Sequence, residues 1–235
     1  MLPGDFSGVR GAKTKGDFLH EIVRFSNQLG FKYVSAMTVI DESLTRSLFE
    51  NVHNTPDAYS SSFNDTVEAR RDPVMQHCKR DTVPIIWDQD TYVSGGQGEL
   101  WEHQAHFGYQ TGIALALHMP GGRHFFMGVD RDKSLPEKPK TMARIVADLQ
   151  LFAVFAQDAA FRLFDPLNNV EMPHLTAREL EALRWTMDSK TAWEVGVIMN
   201  ISERTAVFHV HNAMRKLGCS DKMQAALKAS RLGLL

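Results

Sequence analysis

The chain has 235 residues, 43% hydrophobic and 23% charged, with a formal net charge of -2. That balance excludes a disordered chain, which would lack apolar mass for a core, and no apolar run approaches the roughly 18 residues needed to cross a bilayer. Cys78 and Cys219 fit neither a disulfide framework nor a zinc site, and Met1–Arg10 has no secretion signal, so a reduced, cytoplasmic protein without a membrane partner is expected.

The elements follow in chain order. Lys15–Leu29 places Phe18, Leu19, Ile22, Val23, Phe25 and Leu29 near helical period, and Gly30 stands where a helix-ending glycine would. Phe31–Ile40 is rich in β-branched and aromatic residues and predicts a strand, with a second at Ser47–Val52. Thr55–Ala69 is partly helical, and Asp72-Pro73 opens a short helix. Val83–Trp87 is a short apolar piece, Ser94–Gly98 a loop and Glu99–Phe107 a helix. Gly112–Met119 and His124–Val129 predict two strands across the Pro120-Gly121-Gly122 turn, and Lys138–Phe164 a long amphipathic helix. This order implies an α+β chain: an α/β sandwich with a central antiparallel sheet over residues 1–165, then a linker at 166–173.

Residues 174–235 change pattern to four short helices. Thr176 with Glu179, and Thr191 with Glu194, have capping-box spacing. Ser202 is the third cap and Ser220 the fourth. The tight Asn200-Ile201 connection is that of a helix-turn-helix. From Glu203 to Leu217, Ala206, Val210, Ala213 and Leu217 share one face, while Arg204, Thr205, Phe208, His209, Asn212, Arg215 and Lys216 share the other. Those are donors suited to phosphates and base edges. From Glu171 onward nine basic residues face seven acidic ones, against 17 and 21 in the rest of the chain. Such a mildly basic tail fits a polyanion partner or a solvated polar face equally.

Tyr59, Phe63, Asp72, Trp87 and Trp101 are aromatics around one acid. They suit a small-molecule pocket, but they read equally as core, with Asp72 a simple helix cap. An enzyme using His103 and His106, or His118 and His124, as metal ligands lacks a third ligand, and no phosphate loop or nucleophile motif is present. No catalytic residue, metal or cofactor is expected.

Residues 175–233 resemble the LuxR-type helix-turn-helix throughout, from the opening Leu-Thr-x-Arg-Glu through Ile-Ser-Glu-Arg-Thr to Lys-Leu-Gly. The resemblance implies DNA contacts from Lys190, Thr191, Arg204, Thr205, His209, Asn212, Arg215 and Lys216. Three departures stand out. Ser189 replaces the usual Gly, Gly196-Val197 the usual Ile-Ala, and Ala206-Val207 the usual Val-Lys, which removes a cation. Thr55–Trp87 is similar to the autoinducer-binding domain of the quorum-sensing LuxR-type regulators, in the spacing of Tyr59, Phe63, Asp72-Pro73 and Trp87. That resemblance implies an N-acyl homoserine lactone signal. Asp72 would meet its amide, Trp87 would pack on the lactone ring, and Leu100 and Trp101 would line the wall. Tyr59 and Phe63 stand where the family usually carries Trp and Tyr donors, and Thr55 where it often carries Tyr. A homodimer on a two-fold symmetric operator is implied, paired through Lys138–Phe164 and Met223–Leu232. The alternative is a LuxR-type regulator that answers a non-lactone signal or a protein partner.

Overall fold

The computed structural model describes residues 6–41, 46–62, 70–165 and 173–235. Phe63 and most of the expected linker lie outside them. The described residues fall into two compact units, the second of which contains 173–235.

From its N-terminal side the described chain runs α1 (Ser7–Gly11), α2 (Lys15–Gln28), β1 (Tyr33–Asp41), β2 (Ser47–His53) and α3 (Asp57–Ser62), of which the ends of β1 and β2 at residues 40–48 group with the second unit. Then come α4 (Pro73–Arg80), β3 (Ile85–Trp87), α5 (Gln89–Ser94), α6 (Gly98–Ala105), β4 (Thr111–Met119), β5 (Arg123–Arg131) and α7 (Pro139–Phe164). The strands form one antiparallel sheet in the order β2-β1-β5-β4-β3. The expected order of elements is present. The short helices α1 and α5 are additions, each too brief to show a helical period in the sequence. In α5, Asp88 and Thr91 form a capping box that stops Tyr92–Ser94 from continuing as loop.

Side chains alternate across a strand, and here the alternation divides labour. Val34, Ala36 and Ile40 of β1, Ile113 and Leu115 of β4, and Phe125, Met127 and Val129 of β5 form one buried set. The helices of that core supply Phe18, Ile22 and Phe25 from α2 and Leu149 and Phe152 from α7. Phe25 stacks on Phe152 with centroids 3.8 Å apart. Thr38 donates its hydroxyl to the Phe164 carbonyl at 3.1 Å, tying β1 to the end of α7. The alternate positions, Tyr33, Ala114, Ala116 and Phe126, belong to a separate cluster with Val74, Cys78, Trp87, Tyr92 and Tyr109.

The second unit holds α8 (Ala177–Met187), α9 (Ala192–Ile198), α10 (Glu203–Leu217) and α11 (Lys222–Arg231). Thr176, Thr191 and Ser202 cap as expected. The fourth cap is Asp221 rather than Ser220: its carboxyl accepts from the backbone N–H of Met223 and Gln224, and an ionised acceptor bonds more strongly than a hydroxyl. Between α9 and α10, Ile201 N–H returns to the Gly196 carbonyl at 2.9 Å. A Cβ on Gly196 would meet that Ile201 carbonyl at 3.0 Å and Glu203 N at 3.1 Å, so the smallest residue lets the turn close.

Ser189 follows α8 with φ +58°, the left-handed region that disfavours residues with a Cβ. The departure from Gly at this position is therefore a strained one. Ser189→Gly is expected to stabilise the second unit by about 1 kcal/mol, read as a raised denaturation midpoint of the full chain. An unchanged or lowered midpoint would contradict the strain.

Candidate functional site

Asp72 is 8% exposed and divides its carboxyl between two tasks. Oδ1 accepts from Val74 N at 2.7 Å and Met75 N at 3.0 Å, capping α4. Oδ2 accepts from the Tyr92 hydroxyl at 3.2 Å. The helix-cap reading of this residue is thus seen at Oδ1, while Oδ2 turns toward the aromatic cluster. Burial pushes the Asp72 carboxyl above its ordinary range despite those bonds.

Around it the walls are aromatic. Trp87 is buried and meets Tyr92 edge to face at 5.6 Å. Tyr59, on α3, stacks on Tyr109 with centroids 4.6 Å apart, and Tyr109 stacks on Tyr33 at 4.7 Å. Leu100 and Trp101 pack half-buried against the same cluster, and the Trp101 indole N–H is committed to the Gln110 carbonyl at 3.0 Å. Thr55 is half-buried beside the Tyr109 hydroxyl. Of the expected pocket residues, Tyr59, Trp87, Leu100 and Trp101 therefore join one cluster with Tyr92, the partner of Asp72. Phe63 lies outside the described residues.

The sequence reading missed Tyr92, Gln104, Tyr109 and Asp130. Asp130 is 9% exposed on β5. Its carboxyl is pushed up to about 8, first by burial and then by the like charge of Asp72. Its signal was legible: an acid two and four residues from Gly128 and Phe126 falls on the same face of a strand. Gln104 and Tyr92 carried no such signal, because they converge only through folding. A Cβ on Gly112 would come within 2.6 Å of both Trp87 Nε1 and Asp130 Oδ1, so glycine at this β4 position is what admits the two polar atoms. By contrast, a shallow depression at Gly8, Lys13, Gly16, Asp17 and His20 has largely polar, exposed walls and lacks the apolar lining a signal pocket needs.

Among the described residues no group of three His, Cys, Asp or Glu could hold a metal ion. His118 and His124 approach each other, Nδ1 to Nδ1, at 2.7 Å across the β4–β5 hairpin.

In the second unit, Arg204, Val207, Phe208, His211 and Arg215 are the exposed stripe of α10, whereas Thr205, His209 and Asn212 are half-buried at its margin. His211 was missed, although it lies seven residues from Arg204 and so on the same face. Arg215 Nη2 donates to Asn212 Oδ1 at 3.3 Å. Lys216 differs from expectation. Its ammonium donates to Glu179 Oε2 at 2.7 Å, and the Glu179 side chain is 5% exposed. Burial opposes ionisation of Glu179 most strongly, yet the bonds from Lys216 and Thr176 outweigh it and hold the carboxyl below its ordinary value. Lys216 thus locks α10 to the N-terminus of α8. Thr191 is engaged with Glu194 in its capping box, and Lys190 is half-buried beside it.

Residues 14–160 match the autoinducer binding domain family, and residues 173–229 match the bacterial regulatory proteins of the luxR family. The chain belongs to the LuxR family of quorum-sensing regulators. Transcriptional activator protein AnoR of Acinetobacter nosocomialis is 28% identical over 224 residues, 93% of this chain and 92% of that one. Regulatory protein SdiA of Escherichia coli (strain K12) is 28% identical over 223 residues, 95% of this chain and 92% of its own. A crystal structure of Escherichia coli SdiA matches with a TM-score of 0.81 at 29% identity, covering 96% of this chain and 94% of that one. SdiA in complex with octanoyl-rac-glycerol matches with a TM-score of 0.80 at 26% identity, covering 98% and 97%. As a LuxR-family chain with both domains, it is a ligand-binding transcriptional regulator whose partners are DNA and a small-molecule signal. No described helix is long and apolar enough to cross a membrane.

The two buried acids make a pH prediction. Asp72 and Asp130 have carboxyls raised above their ordinary values in the folded chain. The folded state then holds more protons than the unfolded one between the ordinary carboxylate range and the raised value, so stability falls as pH rises through that window. Unliganded protein is expected to lose denaturant resistance from about pH 4 to about pH 8, and Asp130→Asn to flatten the slope. A slope unaltered by the substitution would remove Asp130 as its source.

Proposed function

We propose that the protein binds a two-fold symmetric DNA site as a homodimer in the cytoplasm, under control of an acylated small signal, and that the signal is an N-acyl homoserine lactone. In this reading residues 1–165 bind the signal, 166–173 link, and 174–235 bind DNA. The observation that carries it is the division of Asp72. With Oδ1 spent on the cap, Oδ2 keeps a lone pair beyond the Tyr92 bond for a ligand amide N–H. Trp87 and Tyr59 supply flat walls for the lactone, with Thr55, Leu100 and Trp101 beside them; Phe63, outside the described residues, is assigned to the pocket by the family resemblance alone. A ligand that binds only the folded state stabilises it by about 2.7 kcal/mol at a hundredfold excess over Kd. The signal thereby shifts the chain toward its ordered, dimer-competent state.

A second reading is a non-lactone acylated signal. It is favoured by Tyr59, whose hydroxyl donor differs in geometry from the usual indole N–H, by Phe63, which lacks the usual hydroxyl, and by a relative, SdiA, seen in complex with octanoyl-rac-glycerol. A thermal-shift series of acyl homoserine lactones against the full chain separates the two. A raised Tm with lactones supports the first, and a flat response to every lactone overturns it.

On DNA, Arg204 and Arg215 are assigned to phosphates or base edges, with Thr205, His209, Asn212, Lys190 and Thr191 at the margin. Dimerisation is assigned to α7, where Val154 is 52% exposed, and to α11, where Met223 and Leu227 are exposed. Arg204→Ala and Arg215→Ala are each expected to lower the slope of log affinity against log salt by about one. Lys216→Ala is expected to leave the slope and lower stability instead, since it orphans a buried carboxylate. Val207→Lys is expected to steepen the slope by about one, because Val207 lies exposed on the same stripe. Salt titrations of operator binding by all four variants decide the assignments. A reduced slope for Lys216→Ala with unchanged stability would reverse the assignment of Lys216.

A further inference from the structure

The cluster around Tyr92 holds more acceptor capacity than one amide N–H can use. Asp130 is a second carboxyl, 9% exposed, on the β5 face it shares with Phe126. The neighbouring cation does not serve it. Arg131 points to the opposite face, where it donates to the carbonyls of Lys133 and Ser134 and lies over the Phe31 ring. A buried carboxyl without a cation is costly. Opposite it stands the converse shortage. Gln104 is 4% exposed, its Nε2 has no hydrogen-bond partner among the described residues, and it lies beside the Tyr92 hydroxyl that donates to Asp72. One unspent buried donor and the Asp72 carboxyl thus meet at one hydroxyl, and Asp130 shares with that cluster the sheet face kept low by Gly112, Ala114, Ala116 and Gly128, its Oδ1 beside Gly112 and the Trp87 indole. Polar groups buried at such cost are completed by something that brings matching atoms.

We infer that Asp130 is a second ligand-reading acceptor, and that it selects a signal carrying a hydroxyl or amine donor beyond the donor that Asp72 takes. The inference rests on the reading of this cluster as the signal site. A homoserine lactone ring offers acceptors only, so its single donor is the amide N–H. An acyl chain with a hydroxyl, or a polyol head group, supplies the additional donor, and the oxygen of that hydroxyl can in turn accept from Gln104 Nε2. With Asp130 ionised, a ketone at the same place would set two acceptors against each other.

The test uses the full chain and ligands matched except for that donor. These are N-octanoyl homoserine lactone with its 3-oxo and 3-hydroxy derivatives, and 1-octanoyl glycerol beside octanoic acid methyl ester. Calorimetric affinities measured above about pH 8, where Asp130 is ionised, are expected to favour each hydroxyl-bearing compound over its partner by about tenfold or more, the worth of a hydrogen bond to a charged acceptor. In Asp130→Asn the preference is expected to fall to about threefold or less. The comparison on unaltered protein stands even if the variant does not fold. Lactones that bind without regard to the hydroxyl, or a preference that survives Asp130→Asn, overturn the role of Asp130 and leave the lactone reading intact. Binding of the glycerol ester with no lactone bound supports the role of Asp130 and overturns the lactone reading. No binding by any member of the set overturns both.

Discussion

The pleat of one sheet constrains everything else in the first unit. Because successive residues of β1, β4 and β5 point to opposite faces, each strand must satisfy two environments at once. One set meets Phe25 and Phe152, stacked at 3.8 Å, and is built of large apolar side chains such as Ile113, Leu115, Phe125 and Met127. The other set is small or polar: Gly112, Ala114, Ala116, Gly128 and Asp130. A shift of one residue in β5 would carry Asp130 into the helix-packed core and Val129 into the pocket. Register is therefore enforced twice, by burial on one side and by the cost of a misplaced carboxyl on the other.

The pocket is built on unfavourable terms. Both acids are raised above their ordinary range by burial, Asp130 further by the like charge of Asp72, and Gln104 holds an unpaired donor nearby. Such a site costs stability when empty and returns it when filled, so the free energy of ligand binding and that of folding are tied together. Stacking among Tyr59, Tyr109 and Tyr33 gives the cluster its cohesion without fixing its polar atoms. The polar atoms are then the part of the site most responsive to the chemistry of the signal.

The legible and illegible parts of the sequence divide along physical lines. Period and capping spacing announced α2, α7 and the four helices of the second unit, since both are local. The motif spacing from Tyr59 to Trp87 announced the family and pointed to Asp72, whose two oxygens turn out to act separately. What escaped is what only tertiary contact creates. Tyr92 meets Asp72 across 20 residues, Gln104 arrives on another helix, and the Lys216–Glu179 bond joins residues 37 apart. Lys216 shows the limit most clearly. On a helical wheel it joins the polar face of α10, but its long stem lets the ammonium turn back to a buried capping carboxylate.

That diversion has a consequence for DNA. With Lys216 committed to Glu179 and position 207 occupied by Val, the exposed stripe of α10 carries only Arg204 and Arg215 as fixed cations. Each phosphate neutralised contributes slightly less than one unit of salt slope, so a single copy with two such contacts has little electrostatic affinity. Its stripe also exposes Val207 and Phe208, 39% and 59% accessible, which suit apolar contact with a thymine methyl better than phosphate. A reader with so few cations per copy gains most from presenting two helices to two half-sites, because the second engagement proceeds at the effective concentration set by the first. The weak charge of this helix is thus a physical argument for the two-fold operator proposed above, on which DNA occupancy would be steeply sensitive to whatever governs pairing of the chains.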